Sequence, residues 1–299
     1  MEQSIYTPIF LHPEWVAEKY YGWTCIRQDS GLRVIRKRVG PIEKTLFMAN
    51  GIGNHELAAA IIKDGSSQRF GIDILHNFCC APMIPGVEAG GQFFTLLTEG
   101  RQLNIGTFVI DLELDDEQLW KNFGPKSRNM VRKARECGTE FRVTTEPTKD
   151  LDAFFSFYKP VVERLGLQLP SRPLIEKMLY RSDLLCLVAV DLNGEPVITN
   201  LVYLCDPNAY YLYGASAPKL AGGIGQFLQW ETMRLLKERG YRWYDLGGVA
   251  TTSLSDGIYA FKKALGGQYV DLGSEYRRIA PAVAQPYEWL KKLRGILHV

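Results

Sequence analysis

The stretch from Leu184 to Gly248 constrains the fold more than any other part of the chain. Leu184–Val190 is apolar and rich in β-formers, Asn193-Gly194 follows it, and Pro196–Leu204 is a second apolar run. Asn-Gly between two such runs predicts a hairpin, because both central residues of that tight turn need positive φ. A third strand, rich in tyrosine, is expected at Ala209–Gly214. A glycine loop (Lys219-Leu220-Ala221-Gly222-Gly223-Ile224-Gly225) then opens an amphipathic helix over Gly225–Glu238, stopped by Gly240. Arg242–Leu246 reads as a strand that ends at Gly247-Gly248. Strand, strand, strand, glycine loop, helix, strand describes an α+β sheet.

Upstream, Leu32–Val39 alternates basic and aliphatic residues and is expected as a strand. Asn54–Lys63 reads as a short helix capped by Asn54, and Phe70–Cys80 and Thr107–Leu112 as further strands. Asp115–Gly138 begins acidic, turns basic and closes on glycine, the order a helix dipole favours. It reads as one helix. Leu151–Leu165 and Pro173–Arg181 are helical as well. The change of character near Asp115–Gly138 places a domain junction there, giving units over 1–125 and 126–299, and a length of 299 residues suits two. Leu96–Leu112 and Leu235–Leu246 each run through glycine into a strand ending Asp-Leu, and this spacing of about 134 residues suggests two copies of one domain.

With 46% hydrophobic and 23% charged residues, the chain can bury a substantial core. Its net charge of +2 excludes a histone-like polycation but leaves room for a local basic groove. Six cysteines include no C-x-x-C pair, which argues against zinc ribbons and for reduced thiols in a cytoplasmic protein. Neither a secretory leader nor an apolar run of membrane-spanning length is visible. The histidines stand far apart at 12, 55, 76 and 298, excluding an H-E-x-x-H site. His76, Cys79 and Cys80 could supply ligands, but adjacent cysteines seldom share one ion, so buried thiols are expected. No metal or cofactor is expected.

Two segments carry chemistry. The glycine loop can hold a phosphate or an oxyanion on free N–H groups, or it can be a plain tight turn. Gcn5-related acetyltransferases carry Gln/Arg-x-x-Gly-x-Gly/Ala there, wrapping the coenzyme A pyrophosphate. Here Gly223 and Gly225 match, while Leu220 stands at the Gln/Arg position. Downstream, Tyr244-Asp245-Leu246-Gly247-Gly248 precedes Gly257-Ile258-Tyr259-Ala260-Phe261-Lys262-Lys263-Ala264-Leu265-Gly266-Gly267. Paired glycines at a strand end let backbone approach a ligand closely. Phe261 by itself reads as core, and the lysine pair also reads as a solvated face.

Tyr-Asp-Leu-Gly-Gly followed by Phe-Lys-x-x-Leu-Gly resembles the FemABX peptidyltransferases, which build interpeptide bridges in peptidoglycan. Ser127-Arg128-Asn129-Met130-Val131-Arg132-Lys133-Ala134, Gly194-Glu195-Pro196-Val197 and Tyr211-Leu212-Tyr213-Gly214-Ala215-Ser216 agree, so the resemblance spans about residues 105 to 280. It implies two tandem acetyltransferase-like (GNAT) domains with mixed, mostly antiparallel sheets flanked by helices. It also implies an amino acid donated by aminoacyl-tRNA rather than acetyl from coenzyme A. Lys262 corresponds to the active-site lysine that neutralises the oxyanion or substrate charge. Tyr213 corresponds to an acceptor-contacting tyrosine, with Tyr211 on the same strand face as a neighbour or as core. Arg172 is carried over as an acceptor-phosphate contact, without the tyrosine pattern that usually follows it. Phe261, Gly223 and Gly225 complete the substrate-binding set. Lys126, Arg128, Arg132, Lys133 and Arg135 become candidate tRNA contacts, and Arg128, Arg132 and Arg135 share a helical face. That face reads equally as a solubilising one. The coiled-coil arm of some members is missing.

An aminoacyl ester is already activated, so a neutral amine can attack it without a covalent enzyme intermediate. Asp245 is a candidate proton acceptor, or a carboxylate that caps the Gly247-Gly248 turn. The expected function is therefore amide-bond formation from aminoacyl-tRNA to an amine on a peptidoglycan precursor or a small peptide natural product. An acyl-coenzyme A N-acyltransferase is the second reading. A third is a non-catalytic RNA- or membrane-surface adaptor using the basic helix and Tyr287-Glu288-Trp289-Leu290-Lys291-Lys292-Leu293-Arg294, which is also a candidate membrane contact for the enzyme.

Overall fold

The computed structural model describes residues 9–12, 23–29, 31–50, 60–61, 63–65, 71–78, 88–89, 92–93, 95–96, 104–144, 147–165, 169–180, 184–218, 220, 222–272 and 274–279. They fall into two compact units, one from Thr107 to Val270 and the other running to Gly106 and resuming at Asp271. No helix among the described residues is long and apolar enough to cross a membrane.

In the unit that includes the early chain, β1 (Thr24–Gln28), β2 (Leu32–Val39), β3 (Ile42–Asn50), β4 (Gly71–Phe78), β7 (Thr95–Leu96) and β15 (Ser274–Ile279) form one sheet in the order β1-β2-β3-β4-β15-β7. β5 (Glu88–Ala89) and β6 (Gln92–Phe93) pair separately. β2 occupies the very range its alternation predicts. Ile35, Leu46, Met48 and Leu272 are buried together on one face. β2 and β3 run antiparallel, whereas β3 and β4 run parallel, with helical residues at 60–61 and 63–64 between them. The Asn54–Lys63 helix expected here lies largely outside the described residues.

The second unit carries a seven-stranded sheet, in the order β14 (Gln268–Asp271), β8 (Gly106–Asp111), β13 (Trp243–Val249), β12 (Asn208–Ser216), β11 (Glu195–Cys205), β10 (Leu185–Leu192), β9 (Thr139–Val143). Its helices are α1 (Asp116–Asn122), α2 (Pro125–Glu136), α3 (Pro147–Leu165), α4 (Arg172–Tyr180), α5 (Ile224–Glu238) and α6 (Gly257–Lys263). The β10–β11 turn has Asn193 at φ 56° and Gly194 at φ 81°, as an Asn-Gly hairpin requires. α5 and α2 cover one face, burying Phe227, Leu228, Trp230, Met233 and Val131 with the inward residues of β8, β10 and β13. The α+β class with mixed, mostly antiparallel sheets is thus the observed one.

Three expectations are corrected. Asp115–Gly138 is two helices, not one. Asp115 caps the first through a reciprocal capping box with Gln118, and Pro125 starts the second. Proline has no N–H to give a helix interior and clashes with the preceding turn, but fits the first helical position. Secondly, the compact unit begins at Thr107, so a junction at 125/126 falls inside it. β8 is laced into the sheet beside β13, and Leu119 and Phe123 of the intervening segment lie in the same core. Thirdly, the strands carrying Asp111 and Asp245 are neighbours in one sheet rather than counterparts in two domains. A repeated topology does exist elsewhere. β2-β3-β4 and β11-β12-β13 each pair antiparallel and then parallel, with helical residues before the parallel strand.

Candidate active site

β13 supplies the framework. Tyr244, Asp245 and Leu246 are buried; β13 does not end at the paired glycines as the sequence suggests but makes a local turn at Gly247, whose φ is 80°, and continues through Gly248 to Val249. A Cβ at Gly247 would lie 2.8 Å from the Tyr211 carbonyl oxygen and 3.2 Å from Lys262 Nζ. Glycine is required there by both conformation and space. Asp245 holds the turn: its Oδ1 accepts from the Gly247 N–H at 2.8 Å and from the Thr107 hydroxyl. That is the capping arrangement open to it from sequence.

α6 brings Lys262 to this turn. Asp256 caps the helix by accepting from the Tyr259 N–H, and one helical turn on, Lys262 points back at the sheet. Its side chain is buried, the residue being only 8% exposed. Nζ donates to the carbonyls of Gly247 and Gly248, 2.9 Å each, and stands 5.8 Å from the centroid of the Tyr211 ring. Burial lowers its pKa from 10.5 to about 8, against a smaller upward pull from Asp245 and Asp256. The ammonium is thereby clamped by two carbonyl dipoles rather than neutralised by a close carboxylate. Lys263, by contrast, is exposed and lies over Tyr259.

The tyrosines of β12 are divided. Against β11 the register shifts between Leu201 and Val202, so Leu201 pairs with Tyr213 and Val202 with Tyr211. This bulge leaves Leu212 over and breaks the two-residue alternation that put Tyr211 and Tyr213 on one face. Tyr211 lies beneath Lys262, and Tyr213 packs edge-on against Tyr158 of α3 at 5.7 Å. Burial pushes both phenols up, that of Tyr213 to about 12, so both hydroxyls are protonated at neutral pH. Sequence reasoning missed Tyr158: its stacking on Phe154 is an i,i+4 pair within α3, but its contact with Tyr213 exists only once α3 packs on β12.

Phe261 and the glycine loop meet on this side as well. A Cβ on Gly225 would touch the Phe261 ring at 3.7 Å. At Gly223, with φ 101°, a Cβ would overlap the Met130 carbonyl of α2. The loop therefore packs against helix backbone, which favours the tight-turn reading for Gly223. No side chain caps α5, and Leu220 packs against the core.

Arg172 opens α4 and is held by Asp152 and Glu176, at 2.6 and 2.8 Å, while stacking over Phe155. Phe155 packs on Phe154, and Phe154 on Tyr213, so an aromatic chain separates Arg172 from the tyrosine cluster. The basic row on α2 does not present a common free face. Arg128 donates to the carbonyls of Lys121 and Phe123, closing the end of α1; Arg132 covers Trp120; Arg135 pairs with Glu231 of α5. Lys126 and Lys133 are exposed. Among the described residues there is no cluster that could hold a metal, and Cys79, Cys80 and Tyr287–Arg294 lie outside them.

Comparison with known proteins agrees with this architecture. Residues 125–263 match the model of the acetyltransferase (GNAT) domain. No curated protein matches by sequence. Among solved structures, FemX superposes with a TM-score of 0.65 at 17% identity, over 96% of this chain and 94% of that one. The C-terminal domain of a putative lysylphosphatidylglycerol synthetase from Agrobacterium fabrum follows with a TM-score of 0.56 and 10% identity, covering 91% of this chain and 89% of that one. L-PGS from Bacillus licheniformis gives 0.51 at 12% identity, with 87% and 85% covered. The chain is built on the fold of FemX, and its residues 125–263 are similar to the acetyltransferase (GNAT) domain.

Proposed function

We propose that this protein transfers an aminoacyl group from aminoacyl-tRNA to an amine acceptor, forming an amide bond. The carrying observation is the buried Lys262 ammonium, clamped over the Gly247-Gly248 turn and the Tyr211 ring. A lysine held this way loses little entropy when it meets a developing negative charge, and its low-dielectric setting strengthens that interaction. The amine attacks the ester carbonyl, the N–C bond forms, and the carbonyl electrons move onto oxygen beside Lys262. Collapse of the oxyanion breaks the C–O bond and releases the tRNA hydroxyl, while the attacking nitrogen loses a proton. The protein positions both partners and stabilises the charge.

Leu220, packed on the core, offers no polar side chain to a pyrophosphate, which favours this donor over acyl-coenzyme A. Likeness in fold to FemX and to a putative lysylphosphatidylglycerol synthetase supports the same reading. The acceptor is an amine on a peptidoglycan precursor, on a small peptide or, following the second relative, on a lipid headgroup. Incubation with charged tRNA pools or acetyl-coenzyme A and a panel of such acceptors, read by mass spectrometry, tests it. Consumption of acyl-coenzyme A with charged tRNA left intact overturns the donor assignment.

A further inference from the structure

One buried polar side chain beside this site is not used by that chemistry. Asn200 sits on β11 opposite Gly214 of β12 and is 1% exposed. Neither its Oδ1 nor its Nδ2 has a hydrogen-bond partner. A fully buried amide without partners is unfavourable, and native proteins seldom keep one without a reason. What lies next to it supplies the reason. A Cβ on Gly214 would overlap the Tyr211 hydroxyl and come within 2.6 Å of Asn200 Oδ1. The missing side chain of Gly214 is therefore the space in which the phenol and the amide face each other. Over the same ring stands Lys262 Nζ, 5.8 Å from its centroid.

We propose that Asn200 is a positioning residue for Tyr211: its Oδ1 accepts the phenolic O–H when substrate enters, turning the phenol's lone pairs toward the incoming amine. A phenol whose proton is held from below can accept but not donate upward, so it receives an N–H of the attacking nitrogen. Lys262 overhead disfavours a positively charged ammonium there and leaves the neutral, nucleophilic amine as the species bound. This rests on the acyl-transfer reading of the same site.

The test uses the full chain with Asn200→Leu, Tyr211→Phe and the double variant. Leucine has nearly the same size and removes the unpartnered amide, so the melting temperature rises while the transfer rate falls about tenfold, the scale of one hydrogen bond. In the Tyr211→Phe background the Asn200 change brings no further loss, because its only effect runs through the hydroxyl. With glycinamide as the amine probe and no donor present, the ¹³Cζ resonance of Tyr211, assigned with Tyr211→Phe, moves in the native protein and not in Asn200→Leu, while that of Tyr213 stays in place. A lowered melting temperature, additive losses in the double variant, or an unmoved Tyr211 resonance each overturn the proposal. If the native protein transfers no aminoacyl group at all, the acyl-transfer reading fails, and melting and resonance alone decide Asn200.

Discussion

Lys262 and Gly247 are locked together in both directions: Nζ donates to the Gly247 carbonyl at 2.9 Å, and a Cβ on Gly247 would lie 3.2 Å from that same nitrogen. The turn that receives the ammonium thus tolerates no side chain. Cation and strand form one unit.

Replacing the cation should therefore affect turnover more than folding. Lys262→Met is expected to lower transfer about 10²–10³-fold, the scale of removing one good oxyanion donor. Lys263→Met, one position on and exposed over Tyr259, should retain native turnover. Initial rates and melting curves for both variants decide the matter; equal, small losses would remove Lys262 from the chemistry.

The depressed pKa of Lys262 also makes a statement about stability. Its value falls from 10.5 to about 8 through burial. Between those two values the unfolded chain binds more protons than the folded one, so this group's contribution to stability improves as pH rises. Below pH 8 both states are protonated, and the full penalty of burying the charge is present. Native protein should thus gain on Lys262→Met from about pH 8 upward, seen as a changing gap between their denaturation midpoints. A gap that stays constant to pH 10 contradicts the depressed value.

Gly247→Ala should destabilise the protein by about 1–3 kcal/mol, since alanine must adopt a positive φ and press on the Tyr211 carbonyl. Denaturant titration measures the loss. Transfer activity should drop further than stability does, because the Lys262 clamp moves with the turn.

For nucleic acid, the structure shifts weight within the basic helix. Arg128→Ala should lower stability by about 1–2 kcal/mol by uncapping the end of α1. If α2 meets tRNA, exposed Lys126 and Lys133 carry the effect. Their reversal to Glu should then lower the salt-dependence slope by about 1 for each phosphate no longer neutralised. Filter binding across a salt series reads this directly, and an unchanged slope assigns α2 to a solvated face.

Local conformation was legible along the chain. Asn193-Gly194 dictates its hairpin because few other pairs accept positive φ twice, and Gly240 and Gly138 end helices for a related reason. Lys262 stood out only through its motif, since periodicity cannot distinguish a buried lysine from a surface one. The break of the α1–α2 segment was readable too, at Pro125, though the charge gradient running across it suggested continuity. The rest came from packing between distant segments. A bulge at Leu212 separates Tyr211 from Tyr213, and it exists only in the pairing of β12 with β11. Arg128 and Arg135 find their partners across helix contacts that no spacing along α2 encodes. Asn200 reads as an ordinary strand residue until Gly214, fourteen positions away along the chain, is brought opposite it and opens the space for Tyr211. Local conformation follows from short-range sterics, whereas desolvation and partnership depend on what long-range packing brings near.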